Sequence, residues 1–137
     1  MYRMETEHFL LEMGPDGGVT EPTPAGECSL RVKVEGGGFS GESVMEIDCA
    51  RLGEFAMGLR ELCEAESGSV IVDEEYTSNS YVRFIARPGD RVTVNGIINN
   101  GGAYGFTQLL AFENAFGRDS VRALAEKLVS DYGKYSE

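Results

Sequence analysis

The sequence has no tryptophan and a single histidine, His8, in 137 residues. Any Ser-His or Cys-His nucleophilic pair would have to use that one imidazole, which sits beside Glu5 and Glu7 in an N-terminal strand candidate without a catalytic motif around it. A His/Cys zinc site would need His8 together with Cys28, Cys49 and Cys63, and none of the zinc-motif spacings is present. The three cysteines form no C-x-x-C pair and are odd in number, which argues against a disulfide framework and fits a reducing cytoplasm. No apolar run reaches the roughly 18 residues a membrane helix needs, and Met1 to Leu10 has no apolar signal-peptide core, so neither a span nor a secretory signal is expected. Positive charge is scarce as well. With 12 basic against 23 acidic residues the net charge is −11, and such a chain is repelled by phosphate backbones and anionic lipid heads. Nucleic acid and membrane surfaces are therefore excluded as expected partners; a basic protein is not.

What the chain does contain is the composition of one ordinary globular domain, expected to span residues 1–137. Hydrophobic residues at 42% and charged residues at 26% rule out wholesale disorder. Glycine is abundant at 18 residues, which points to many tight turns and a strand-rich fold. A first strand is read at His8 to Leu11, followed by a Gly/Pro-rich surface loop at about 13–27. Leu30, Val32 and Val34 alternate with Arg31, Lys33 and Glu35, the pattern of a half-buried strand. Gly36-Gly37-Gly38 turns it into a returning strand from Phe39 to Asp48; with no Gly-Lys-Ser/Thr following, these glycines are a turn and not a phosphate loop.

Leu52, Phe55, Ala56, Leu59, Leu62 and Cys63 recur at helical spacing after Asp48, an expected N-cap, and predict a helix over about 49–64. Gly53 and Gly58 inside it each cost about 1 kcal/mol relative to alanine, so packing must hold this helix. Strands are predicted around Val70–Val72, Tyr81–Arg87, Arg91–Asn95 and Ala103–Glu113, with short turns implying antiparallel neighbours. Val121, Leu124, Ala125, Leu128, Val129 and Tyr132 predict a last helix over about 119–132, capped by Asp119 and ended by Gly133. No internal repeat is visible in the sequence. The expected fold is α+β: mainly an antiparallel sheet of about six to seven strands with the two helices packed on it.

Candidates for chemistry are few, and neither catalytic residues, cofactor nor metal ligands are assigned. Cys49 opens a helix, where the backbone N–H groups and dipole lower a thiol's pKa, and it is the best candidate for a reactive thiol; Cys63 lies on the buried stripe. Carboxylates cluster at Glu64 and Glu66 and at Asp73, Glu74 and Glu75. Neither cluster has calcium-loop spacing; they read either as charges that protect a sheet edge or as a docking surface for a basic partner. Tyr104, Phe106, Gln108, Leu110 and Phe112 share one strand face and read as core, while Tyr76, Tyr81, Asn95 or Gln108 would supply the polar groups of any small-ligand pocket.

The run Leu30-Arg31-Val32-Lys33-Val34, Gly38-Phe39-Ser40-Gly41, then Ile47-Asp48 and Leu52, Phe55 and Leu59, resembles the first half of WapI-type bacterial immunity proteins. The layout after it is similar too: strands near Tyr81–Ala86 and Arg91–Asn95, an aromatic strand, and a terminal helix with Val121, Leu124 and Leu128. The resemblance covers about residues 28–130, and the Gly/Pro-rich loop has no counterpart in it. It implies a cytoplasmic inhibitor that binds and neutralises a toxin delivered by contact, with no catalytic residues to carry over. A basic, nuclease-like toxin suits the acidity of the chain, because opposite charge steers association. On that reading Glu64, Glu66, Asp73, Glu74 and Glu75 are the candidate partner-binding residues. The alternatives are a small-ligand-binding domain and a scaffold that forms a homodimer through a sheet edge.

Overall fold

Alternating apolar residues do become strands, but they build two sheets instead of one. The computed structural model describes residues 2–15, 26–74, 79–100 and 105–136. In chain order it contains β1 (Tyr2–Glu5), β2 (Phe9–Pro15), β3 (Glu27–Gly36), β4 (Phe39–Asp48), α1 (Cys49–Leu62), β5 (Ser69–Asp73), β6 (Tyr81–Ala86), β7 (Arg91–Asn99), β8 (Leu109–Gly117) and α2 (Arg118–Tyr132). A 3₁₀ turn at Gly133–Tyr135 follows α2. The sheets are antiparallel meanders, β1-β2-β3-β4 and β5-β6-β7-β8. The expectation of one sheet with six to seven strands is thus corrected to two sheets of four strands. The cause is local: α1 begins at Cys49, the residue after the last of β4, and takes the chain out of the first sheet before β5 can join it.

Each sheet has one apolar face, and both faces contribute to a single core. Leu30, Val32, Met45 and Ile47 come from the first sheet, Val82, Phe84, Val92 and Val94 from the second. Placing both faces against a common interior removes more apolar surface from water than one sheet covered only by helices. The strand at Tyr2–Glu5 lies outside the sequence expectation; Tyr2 and Met4 are buried, Arg3 and Glu5 exposed. Of the Gly/Pro-rich stretch, residues 16–25 lie outside the described residues; its flanks are already strand, up to Pro15 and from Glu27.

The order four strands then helix occurs twice, so the chain is a structural repeat that the sequence does not advertise. The registers correspond: Glu27 pairs with Asp48 and Gly36 with Phe39 in the first half, Arg91 with Gly117 and Asn99 with Leu109 in the second. The junctions correspond as well. The N–H of Cys49 donates to the Gly26 carbonyl at 2.8 Å, and the N–H of Arg118 to the Asp90 carbonyl at 2.9 Å. Counted from those two residues, buried Leu52, Phe55, Ala56 and Leu59 match buried Val121, Leu124, Ala125 and Leu128. Only size and polarity are kept between the halves, which is why no repeat is legible in the letters.

The two helices pack against each other, and each crosses to the other half's sheet: α1 onto β5, α2 onto β1. Phe55 of α1 meets Phe84 of β6 with ring centroids 5.9 Å apart. Gly53 is explained by this packing, since a Cβ there would come 2.6 Å from the Tyr132 carbonyl oxygen and 2.9 Å from the Ser136 nitrogen. The N-caps differ from expectation in detail. Asp48 holds the N-cap position of α1 without a side-chain capping bond, and α2 is capped by Gly117 with Asp119 inside its first turn.

Candidate functional site

The cysteines are arranged differently from the sequence expectation. Cys28 stands opposite Ile47 in the β3–β4 register, which brings it beside the first residue of α1, and Cys28 and Cys49 form a disulfide with Cα atoms 5.5 Å apart. Cys49 is therefore tied up in a buried bond and is not a reactive thiol. Cys63 is free and buried as expected; burial pushes its pKa up, with Arg122 and Arg118 pulling the other way. His8 is an exposed side chain near Glu7, and the described residues hold no group of three or more His, Cys, Asp and Glu side chains able to bind a metal.

The acidic candidates do not gather on one surface. Glu64 lies just past α1 and pairs with Arg122 at 3.2 Å, and Glu66 is exposed in the following turn. Asp73 ends β5 and pairs with Arg51 at 2.6 Å. Glu74 points inward: it is 3% exposed, and its carboxylate accepts the backbone N–H of Glu46 at 2.6 Å. Glu75 and Tyr76 lie outside the described residues. Of the polar pocket candidates, Tyr81 sits under the Arg83 guanidinium, and Asn95 has its amide oxygen buried without a hydrogen-bond partner among the described residues.

A concave feature of the described surface lies elsewhere, at the tip of the β3–β4 hairpin. Gly37 and Gly38 have φ of +59° and +85°, the primed two-residue turn that matches strand twist, and the turn projects Phe39 into solvent. Between this tip, the start of β2 and the inner side of β8 is a cleft of about 470 Å³, walled by His8, Phe9, Phe39, Leu110, Phe112 and Glu113. Phe9 stacks on Phe112 at 6.0 Å and meets Phe116 at 5.8 Å, so the cleft floor is aromatic and held from two strands. Glycines let the walls approach: a Cβ at Gly36 would lie 2.8 Å from the Phe9 ring, and one at Gly41 would lie 2.9 Å from Leu110. A second hollow of about 350 Å³ lies beyond Phe39 and Leu110 and reaches Gln108 and Leu109.

Phe106, expected on a core face, is among the most exposed large apolar side chains of the described residues. Phe39 is 70% exposed, Phe106 is 73% and Leu109 is 63%. Tyr104 is outside the described residues, and β8 starts at Leu109, so only Leu110 and Phe112 of the predicted face turn toward the interior, half-buried at the cleft. Periodicity could not separate a half-buried face from a buried one, because both alternate alike. Compared with known proteins, the chain matches no family model and shows no significant similarity to a curated protein.

Proposed function

We propose that this chain is a protein-binding module of the immunity type, an inhibitor without catalysis of its own, which holds a basic toxin-like partner at the apolar surface around the cleft. The observation that carries the reading is the exposure of Phe39 and Leu109 around the second hollow, beside a cleft with an aromatic floor, on a chain of net charge −11. Exposed aromatic and aliphatic anchors beside a pocket are what concentrate binding energy in protein interfaces. The acidity supplies steering and contributes to the on-rate, with Glu64, Glu66 and Asp73 as exposed or part-exposed members of that field. Glu74, being buried, contributes structure.

The cytoplasmic location belongs to the same proposal and turns on the Cys28–Cys49 pair. The bonded pair is the form that an oxidising compartment keeps, whereas a reducing cytoplasm would hold Cys28 and Cys49 as thiols. Counting alkylatable thiols after quenched lysis of the producing cell separates the two settings.

The test of function is capture of a protein partner at low and moderate salt, followed by co-expression to see whether the chain relieves that partner's toxicity. Retention by the wild type, loss with Phe39→Asp and Leu109→Asp, and mere salt sensitisation with Glu64→Gln, Glu66→Gln and Asp73→Asn are expected. A partner indifferent to Phe39 and Leu109 counts against this surface. A second reading draws on the cleft volume of about 470 Å³, which falls in the range of small-molecule sites. A thermal shift with an apolar compound, lost in Phe112→Ala and seen without any protein partner, would favour it.

A further inference from the structure

We propose that the free edge of β8 receives an extended segment of the protein partner, which adds to the second sheet as a further strand and sets alternate side chains into the cleft. The proposal rests on the protein-binding reading above and specifies how the partner is held.

It comes from comparing two strands that the repeat makes equivalent. β4 and β8 each end a sheet and pair on one side only, with β3 and β7. In an antiparallel strand, successive residues turn their N–H and C=O groups alternately toward the neighbour and away from it. The Gln108 carbonyl accepts the N–H of Asn100 at 3.1 Å across the β7–β8 connection, so even-numbered residues face β7. Leu109, Ala111, Glu113 and Ala115 therefore present their backbone groups at the free edge.

At β4 the corresponding edge is tied at one point to another element. The N–H of Glu46, which corresponds to that of Ala115, donates to the buried Glu74 carboxylate at 2.6 Å. Three residues earlier, the buried side chain of Ser43, whose backbone faces β3, donates to the Asn99 carbonyl at 2.9 Å and lies 3.2 Å from Ser80 Oγ. Glu74 and Ser80 flank the connection between β5 and β6, and it is this connection that reaches β4. Its counterpart between β1 and β2 is only Thr6 to His8. That turn is too short to cover β8, and it ends at the wall of the cleft, where His8 sits.

At β8 the N–H of Ala115 is satisfied merely by the side chain of its own neighbour, Asn114, at 2.8 Å. Among the described residues, no other element bonds to the outward N–H groups of Leu109, Ala111 and Glu113. A row of unpaired backbone donors and acceptors is a template for another strand, and another strand is the ligand with matching groups at matching intervals. Lysine and proline, which normally protect such an edge, are absent from Leu109–Gly117, and Glu113 is its single charge. Side chains of an added strand would point alternately into the aromatic cleft and toward Glu113, so the matching segment is extended, with apolar residues alternating with basic ones.

The probe is a capped heptapeptide alternating lysine and valine, titrated into isotope-labelled full-length chain and followed by amide NMR and hydrogen exchange. At about 1 mM peptide, shifts and slowed exchange are expected at the N–H groups of Leu109, Ala111 and Glu113. Ala111→Pro removes one outward donor and no bond to β7, so it should keep its fold and bind at least about tenfold more weakly, with Ala111→Ser binding like the wild type. Should Ala111→Pro unfold, a peptide N-methylated at alternate residues asks the same question of the unaltered protein, and it should not bind. Equal binding by Ala111→Pro or by the N-methylated peptide, shifts confined to the rings of Phe39 and Phe112, or no shift at all overturns strand addition. If that happens while the captured partner still depends on Phe39, the protein-binding reading stands without it; if the partner is also indifferent to Phe39, that reading has failed by itself.

Discussion

The outer face of the first sheet carries a ladder of charge pairs: Arg3 with Glu5 and Glu12, Arg31 with Glu42, Lys33 with Glu35. The outer face of the second sheet carries Ile71, Ile85, Ile97, Leu109 and Ala111, with Arg83 lying over Tyr81. Nine of the eleven net negative charges lie in residues 1–68 and two in residues 69–137. Two halves with one chain path thus present opposite surfaces to water. Packing constrains the interior side chains of a repeat, while the solvent face is free to diverge, and that freedom is where function can enter.

The interiors also solve one problem in two ways. Val32 opposes Ser43 in the first half, and the equivalent pair in the second is Gly96 opposite Phe112, so a large residue and a small one have exchanged strands. The tie at the start of each helix has diverged further. Cys49 is bonded to Cys28, whereas Arg118, in the same place, donates to the carbonyls of Leu62, Cys63 and Ala65 at the end of α1 and to Arg87 and Gly89. A cation on the last carbonyls of a helix answers both its unpaired acceptors and its dipole.

The largest effect is expected from making the second half resemble the first at its tightest point. A Cβ at Gly96 would run into the Tyr81 carbonyl oxygen and lie 2.8 Å from the Phe112 ring, so Gly96→Val should destabilise by more than about 3 kcal/mol in denaturant melts. Adding Phe112→Ser should restore little, because the carbonyl clash remains; full rescue would mean the ring was the obstacle. Reducing the Cys28–Cys49 bond, which closes a sequence separation of 21, should cost about 3 kcal/mol, read as a drop in thermal midpoint of roughly 9 °C.

Arg118→Met tests the non-covalent tie and should cost about 2 kcal/mol, less than the disulfide. A larger loss than on reduction would reverse the ranking of the two ties. The two edges are compared by Glu74→Ala, expected to lose about 1–3 kcal/mol by orphaning the Glu46 N–H, and Asn114→Ala, expected to lose about 0.5 kcal/mol because water can replace that side chain. The smallest effect belongs to Phe39→Ser, exposed at 70%, which should leave stability within about 0.5 kcal/mol while abolishing partner capture.

Much of this architecture is readable in the letters where a pattern is periodic. The helix over 49–64 is observed at Cys49–Leu62 and that over 119–132 at Arg118–Tyr132, since their apolar stripes have a period no strand shares. The meander of the second half was legible from its turns. The first strand was not, because four residues are too few for alternation to stand out. The cleft was partly legible: the Gly-Gly turn presenting Phe39 was read as a hairpin, but nothing local distinguishes an exposed tip phenylalanine from a core one. The disulfide was invisible because Cys28 and Cys49 meet through the β3–β4 register and not through any motif spacing.

By itself the sequence determined the α+β class, the antiparallel pairing, the two helices and the acidity, because composition, periodicity and turn chemistry act over a few residues at a time. The tertiary structure alone decided that the strands form two sheets, that the halves repeat, that Glu74 turns inward to the Glu46 N–H of β4, and that β8 ends its sheet among the described residues beside an aromatic cleft. Those outcomes depend on which distant segments meet, and on the difference in length between two connections that local pattern treats alike.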